Sequence, residues 1–142
     1  MRAAVFHQAG QPLAIEQVAD PVPAPGEVIL SVARAGICGS DLHVTEYGLI
    51  AGGTVPGHEF AGEIVALGAG VGGEWRIGDR VTALPIDPCH DCEACHMDLP
   101  ALCSGIAFAG TSPDRPGGYA ELVAARAAGL QRLPAGVTIE EG

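Results

Sequence analysis

Apolar positions along this chain come in short runs rich in Val and Ile, cut every few residues by Gly or Pro. Such runs with turn residues between them mark short strands rather than long helices. The pattern predicts strands near Ala3–His7, Leu13–Val18, Glu27–Ala35, Phe60–Leu67, Arg80–Leu84 and Tyr119–Ala124. Asp20–Gly26 reads DPVPAPG. Its prolines fix φ and remove donors, so a rigid extended connection is expected there. Ser40 can cap one short helix through Asp41–Tyr47. Nothing alternates strands with helices of ten to fifteen residues, and there is no internal repeat or low-complexity tail. The expectation is one mainly β domain over residues 1–142, a partly open barrel large enough for a single core.

Charge narrows the function classes. The net charge is −10, and all seven basic residues are scattered arginines. A nucleic-acid surface needs a basic stripe to neutralise phosphates, so no nucleic-acid partner is expected. No apolar run reaches the length of a membrane span. The N-terminus lacks the apolar stretch of a signal peptide, so a cytoplasmic location is expected.

Five cysteines then change the picture, because four of them crowd into Cys89–Cys103 as C-x2-C-x2-C-x7-C. Zinc takes four tetrahedral donors and binds thiolates at about 2.3 Å. The short gaps turn three sulfurs inward and the longer gap brings the fourth back. Four cysteines leave no open position, so Cys89, Cys92, Cys95 and Cys103 are expected to hold a structural zinc in a lobe spanning residues 86–104. Two rivals use the same residues. Cys92–His96 matches the C-x-x-C-H haem-attachment pattern, which leaves Cys89 and Cys103 without a role and requires export. Two disulfides also require an oxidising compartment.

The fifth cysteine lies in Cys38-Gly39-Ser40-Asp41-Leu42-His43, and twenty residues on comes Gly57-His58-Glu59. Cys, His and carboxylate together make a zinc site that can keep one position open. Singly, Cys38 reads as a core residue and His58 as a hydrogen-bonded surface residue; the case is their joint occurrence. Residues 57–71, GHEFAGEIVALGAGV, fit G-H-E-x2-G-x5-G-x2-V at every fixed position. Together with C-G-S-D-x-H, the four-cysteine spacing, G-D-R-V at Gly78–Val81 and G-G-Y-A-E at Gly117–Glu121, this resembles the zinc-containing medium-chain alcohol dehydrogenase family. The resemblance covers essentially the whole chain and leans toward its polyol and secondary-alcohol branch.

That resemblance implies a GroES-like catalytic domain with two zinc ions. Cys38 and His58 would hold the catalytic zinc, with Glu59 as a third ligand or a carboxylate just behind it. Ser40 would take the alcohol proton and His43 would relay it, while Asp41 caps the turn and orients the loop. The implied reaction is NAD- or NADP-dependent oxidation of a small alcohol, or carbonyl reduction, and a homo-oligomer is compatible with it. The cofactor needs a dinucleotide-binding domain. Gly68–Gly73 matches G-x-G-x-x-G, but no helix or second parallel strand follows, so it is read as a turn between antiparallel strands. The cofactor domain is therefore expected to be absent from this chain and cofactor-binding residues to lie beyond it. The alternative is a non-enzymatic zinc-binding module derived from the same family.

Overall fold

The computed structural model describes residues Met1–Gly142. Nine strands form three antiparallel sheets: β1 (Arg2–Val5), β2 (Ala14–Gln17), β3 (Glu27–Ala35), β4 (Phe60–Leu67), β5 (Arg80–Ala83), β6 (Ile86–Asp87), β7 (Ala107–Phe108), β8 (Leu122–Arg126) and β9 (Leu130–Arg132). Two short α-helices, α1 (Gly39–Glu46) and α2 (Glu93–His96), and two single 3-10 turns, at Pro100–Leu102 and Ala127–Gly129, complete the regular structure. The main sheet runs β8-β3-β4-β5-β9 and does not close, since β8 and β9 are its free edges. Mainly β and open is thus the architecture expected from the sequence. No helix is long and apolar enough to cross a membrane.

Burial explains the strand order. β3 is central, with Val28, Ile29 and Leu30 buried in succession. Its neighbour β4 alternates, burying Phe60 and Ile64 while Glu63 points out. Val28, Leu30, Phe60, Ile64, Trp75, Val81, Ala83, Val123 and Leu130 form one core on the sheet's inner face. Gly62 lies where a Cβ would overlap the β3 backbone at Ser31, so only glycine lets the two central strands approach there. The Arg132 guanidinium stacks over the Trp75 ring, 4.9 Å from its centroid, and pairs with Asp79 across the sheet's end.

Glu27–Ala35 and Phe60–Leu67 are strands over the predicted residues. Others are displaced. The last predicted strand, Tyr119–Ala124, begins only at Leu122, because residues 117–121 bond to loops and to β1 instead of a regular ladder. Ala4 N–H donates to the Tyr119 carbonyl and Glu121 N–H to that of Arg2, at 2.8 and 3.1 Å. Ser40 is not the helix cap. The N-cap is Cys38, whose backbone is extended, and the Asp41 carboxylate accepts the Cys38 N–H at 3.0 Å. Gly68–Gly73 is a turn, with Gly70 and Gly73 at φ 79° and 69°, and antiparallel β5 follows without a helix.

The β6–β7 ribbon brackets the cysteine segment as its neck. Asp87 in the neck accepts from Arg115 at 2.9 Å and from Arg126 at 3.2 Å, which ties the lobe to β8. Inside the lobe only Cys103 is buried, while Met97, Leu99 and Leu102 are exposed. Hydrophobic burial therefore does not hold this segment together. His90 and Asp98 adopt left-handed φ of 57° and 59°, a conformation that favours glycine and is best tolerated by Asn, Asp and His.

Candidate functional site

Strand register makes the first cluster. β3 and β4 pair antiparallel with Ala35 opposite Phe60, so the chain leaving β3 and the chain entering β4 share one end of the sheet. Cys38 lies three residues after that pair and His58–Glu59 just before it. A further bond from Gly36 N–H to the Glu59 carbonyl, 2.7 Å, extends the ladder toward the site. A Cβ on Gly36 would lie 2.6 Å from Glu59 Oε2, so a side chain there would push the Glu59 carboxylate aside. The result is that ligand atoms of Cys38, His58 and Glu59 lie within 4.8 Å of one another.

The polar surroundings order this cluster. Ser40 Oγ is 3.5 Å from His58 Nε2, and Asp41 Oδ1 is 3.3 Å from His58 Nδ1. Asp41 is buried, and its Oδ2 also accepts the Tyr119 hydroxyl at 2.8 Å. Hydrogen bonds from the Ser40 side chain and backbone, and then from His58, hold the Cys38 thiol below its ordinary pKa. That favours the thiolate, the form that ligates metal. His43 stands on the exposed face of α1 with its ring 6.2 Å from that of Tyr47, and no hydrogen bond joins it to Ser40. His58 and Glu59 line a cavity of about 640 Å³ that is rimmed by Arg34 and Glu140, an ion pair at 2.6 Å.

In the lobe the four sulfurs likewise lie within 4.8 Å of one another. Cys92 and Cys95 Sγ are 3.6 Å apart, and Cys103 and Cys89 Sγ are 3.4 Å apart. Backbone N–H groups of Cys95 and Ser104 lower the Cys92 thiol to about 5, whereas burial raises that of Cys95 to about 12. Both donor sets suit zinc. One is closed and all sulfur; the other mixes sulfur, nitrogen and oxygen and leaves a coordination position free.

Tyr119 is the residue that sequence reasoning passed over. It stands in G-G-Y-A-E, and two glycines before an aromatic are a signal of close backbone approach. Gly57, at φ 94°, packs against its ring so tightly that a Cβ would lie 2.7 Å from Cε1. Asp41 was assigned only to the loop, yet it also faces the imidazole.

An open β domain carrying a closed thiolate cluster and a second, mixed-ligand cluster at one sheet end is the class that fold and site define. The sequence profile of the alcohol dehydrogenase GroES-like domain matches residues 24–135. The chain belongs to that family, the N-terminal domain of zinc-type medium-chain alcohol dehydrogenases. A sorbitol dehydrogenase of Halalkalibacterium halodurans is 39% identical over 140 residues, covering 96% of this chain and 40% of its own. A 2-dehydro-3-deoxy-L-galactonate 5-dehydrogenase of Pseudoalteromonas atlantica is 35% identical over 123 residues, covering 84% of this chain and 35% of its own. A short chain alcohol dehydrogenase from E. coli CFT073, crystallised with NADH, superposes with a TM-score of 0.88 at 34% identity, over 99% of this chain and 40% of that one. The chain thus spans between 35% and 40% of the length of these curated relatives.

Proposed function

We propose that this chain is the zinc-binding catalytic domain of an NAD- or NADP-dependent dehydrogenase that oxidises small secondary alcohols or polyols and reduces the corresponding carbonyls. The observation that carries this reading is the convergence of Cys38, His58 and Glu59 within 4.8 Å beside the Ser40 hydroxyl. Relatives named for sorbitol and for a deoxy-galactonate, and a neighbour crystallised with NADH, support the substrate class and the cofactor.

Cys38, His58 and Glu59 would hold the catalytic zinc, and Cys89, Cys92, Cys95 and Cys103 the structural one. A zinc ion in the first cluster supplies Lewis acidity to an alcohol or carbonyl oxygen. Ser40 Oγ accepts the substrate's hydroxyl proton. Ser40 gives up its own proton in exchange, and His43, three residues on along α1 but not hydrogen-bonded to Ser40, would pass it toward solvent once an intervening hydroxyl bridges the two. A nicotinamide nucleotide is the hydride acceptor, and its binding fold is not among the residues of this chain. The 142-residue chain on its own therefore has no turnover.

Metal analysis and an activity assay test this together. Zinc-loaded chain is expected to hold two ions, one released readily by a mild chelator and one retained. With NAD or NADP and a panel of polyols and secondary alcohols, absorbance at the nicotinamide band should stay flat. One tight ion only would instead support a purely structural zinc module. Clear turnover by this chain would overturn the claim that the cofactor fold is needed from elsewhere.

A further inference from the structure

The Asp41 carboxylate is committed on both sides. Oδ2 receives two donors, the Cys38 N–H at 3.0 Å and the Tyr119 O–H at 2.8 Å. Oδ1 is left facing His58 Nδ1 at 3.3 Å. Two donors on one oxygen fix the plane of a carboxyl group far better than one, so the direction of Oδ1 depends on both. Tyr119 is itself fixed. Its ring is packed on Gly57, and its hydroxyl also lies 3.1 Å from the Gly36 carbonyl. Gly36 and Gly57 flank the ligands from the two strands that present them.

We propose that Tyr119 is a positioning residue for the mixed-ligand metal site: its hydroxyl locks Asp41, and Asp41 accepts the Nδ1–H of His58, leaving Nε2 for the metal. A ligating imidazole generally gives its other N–H to a carboxylate or carbonyl, which sets the tautomer and the ring plane. Here that carboxylate belongs to α1, and the phenol that holds it comes from a segment 78 residues further along the chain. Three stretches of sequence, at residues 36–41, 57–59 and 117–119, are thereby tied at one point. Burial, and then the Asp41 contact, push the phenol above its ordinary pKa, so it remains a donor through the physiological range. This inference rests on the reading of Cys38 and His58 as metal ligands.

The test is Tyr119→Phe in the 142-residue chain, which keeps the ring on Gly57 and deletes only the hydroxyl. Zinc affinity is measured at both clusters by chelator competition, with cobalt substitution to tell the mixed-ligand site from the all-sulfur site by its absorption bands. The His58 tautomer is read in the metal-free chain from long-range ¹⁵N–¹H spectra. The expected result is about tenfold weaker metal binding at the mixed-ligand site, the low end for partners behind a metal ligand, with Asp41→Asn falling further. Affinity in the lobe should not change, which separates this effect from a general loss of fold. The His58 Nδ1–H form should dominate in the parent chain and become mixed in Tyr119→Phe. Equal affinity at the mixed-ligand site in parent and variant would overturn the inference and leave the functional reading standing. So would an Nε2–H tautomer in the metal-free parent. A parent chain that takes metal only in the lobe would overturn both.

Discussion

On the proposed all-sulfur ligation, replacing Cys103 with serine is expected to weaken zinc binding by the lobe and loosen its shape while the five-stranded sheet survives. Cys103 is the one buried residue of the lobe, and the exposed Met97, Leu99 and Leu102 supply no alternative core. Metal ligation must then do what apolar packing does elsewhere. Structural zinc binding in small domains is worth about 10–16 kcal/mol apparent, so the loss of one ligand in four weakens it by roughly two to three orders of magnitude. Zinc content and hydrogen exchange would read the two parts separately. Amides between Asp87 and Ala107 should lose protection, whereas those of β3 and β4 should keep theirs. A Cys103→Ser chain whose lobe bound zinc as tightly as the parent and kept its protection would sink the idea that sulfur ligation holds the lobe.

Proton competition gives the same cluster a pH dependence of definite sign. Between pH 6 and 8 the Cys92 thiol, lowered to about 5, is already ionised, while Cys95, raised to about 12, still carries its proton. Zinc must expel that proton on binding. Uptake by the lobe should therefore weaken as pH falls across this window, by up to about tenfold per unit from Cys95 alone.

How far all this was legible in the sequence depends on whether local pattern or long-range contact decides each feature. β3 and β4 could be read residue by residue, because they are long and largely apolar, β3 lies between Gly26 and Gly36, and β4 ends at Gly68. β6 and β7 have two residues each and no period to detect; they exist because the cysteine loop must close on itself. β9 and α2 escaped notice for the same want of length. The residues of the two candidate metal clusters could be named from the sequence because metal chemistry restricts residue type and spacing together, and the structure brings the donor atoms of each set within 4.8 Å. Asp41 was visible only as a capping residue, which it is, through its bond to the Cys38 N–H. Its second and third partners, His58 and Tyr119, come from other parts of the chain, and no local pattern announces them. Helix capping misplaced Ser40 because a side-chain hydroxyl looked like the better cap, whereas Asp41, reaching back to the preceding backbone, made Cys38 the boundary.

Gly117→Ala should be among the most damaging single substitutions in the chain, although glycine to alanine adds one methyl group. The stretches 55–58 and 117–119 are laced by three backbone bonds: Gly117 N–H to the Val55 carbonyl, Gly118 N–H to that of Gly57 and Tyr119 N–H to that of Pro56, at 2.8–3.0 Å. A Cβ on Gly117 would overlap the Gly57 carbonyl oxygen and lie 2.6 Å from that of Pro56. Those atoms are backbone already committed to the ladder, so they cannot give way as a side chain would. A loss of about 3–5 kcal/mol is expected, at the upper end for point substitutions and a large share of a domain's total stability. Gly57→Ala should be milder, about 1–3 kcal/mol, since beyond the left-handed φ the obstruction is the Tyr119 ring and not backbone, and the ring can be displaced at the cost of its hydroxyl's hold on Asp41. Gly72→Ala, with open space around it and no left-handed φ, should be close to neutral. Denaturant midpoints of the three variants test the order. A Gly117→Ala chain within about 1 kcal/mol of the parent would contradict it. The order also separates stability from site geometry. Gly57→Ala moves the ring that holds Asp41, so it should weaken metal binding at Cys38 and His58 more than its modest loss of stability implies. Fold and metal site share this one backbone seam, and the glycines on it are where a change in packing becomes a change in chemistry.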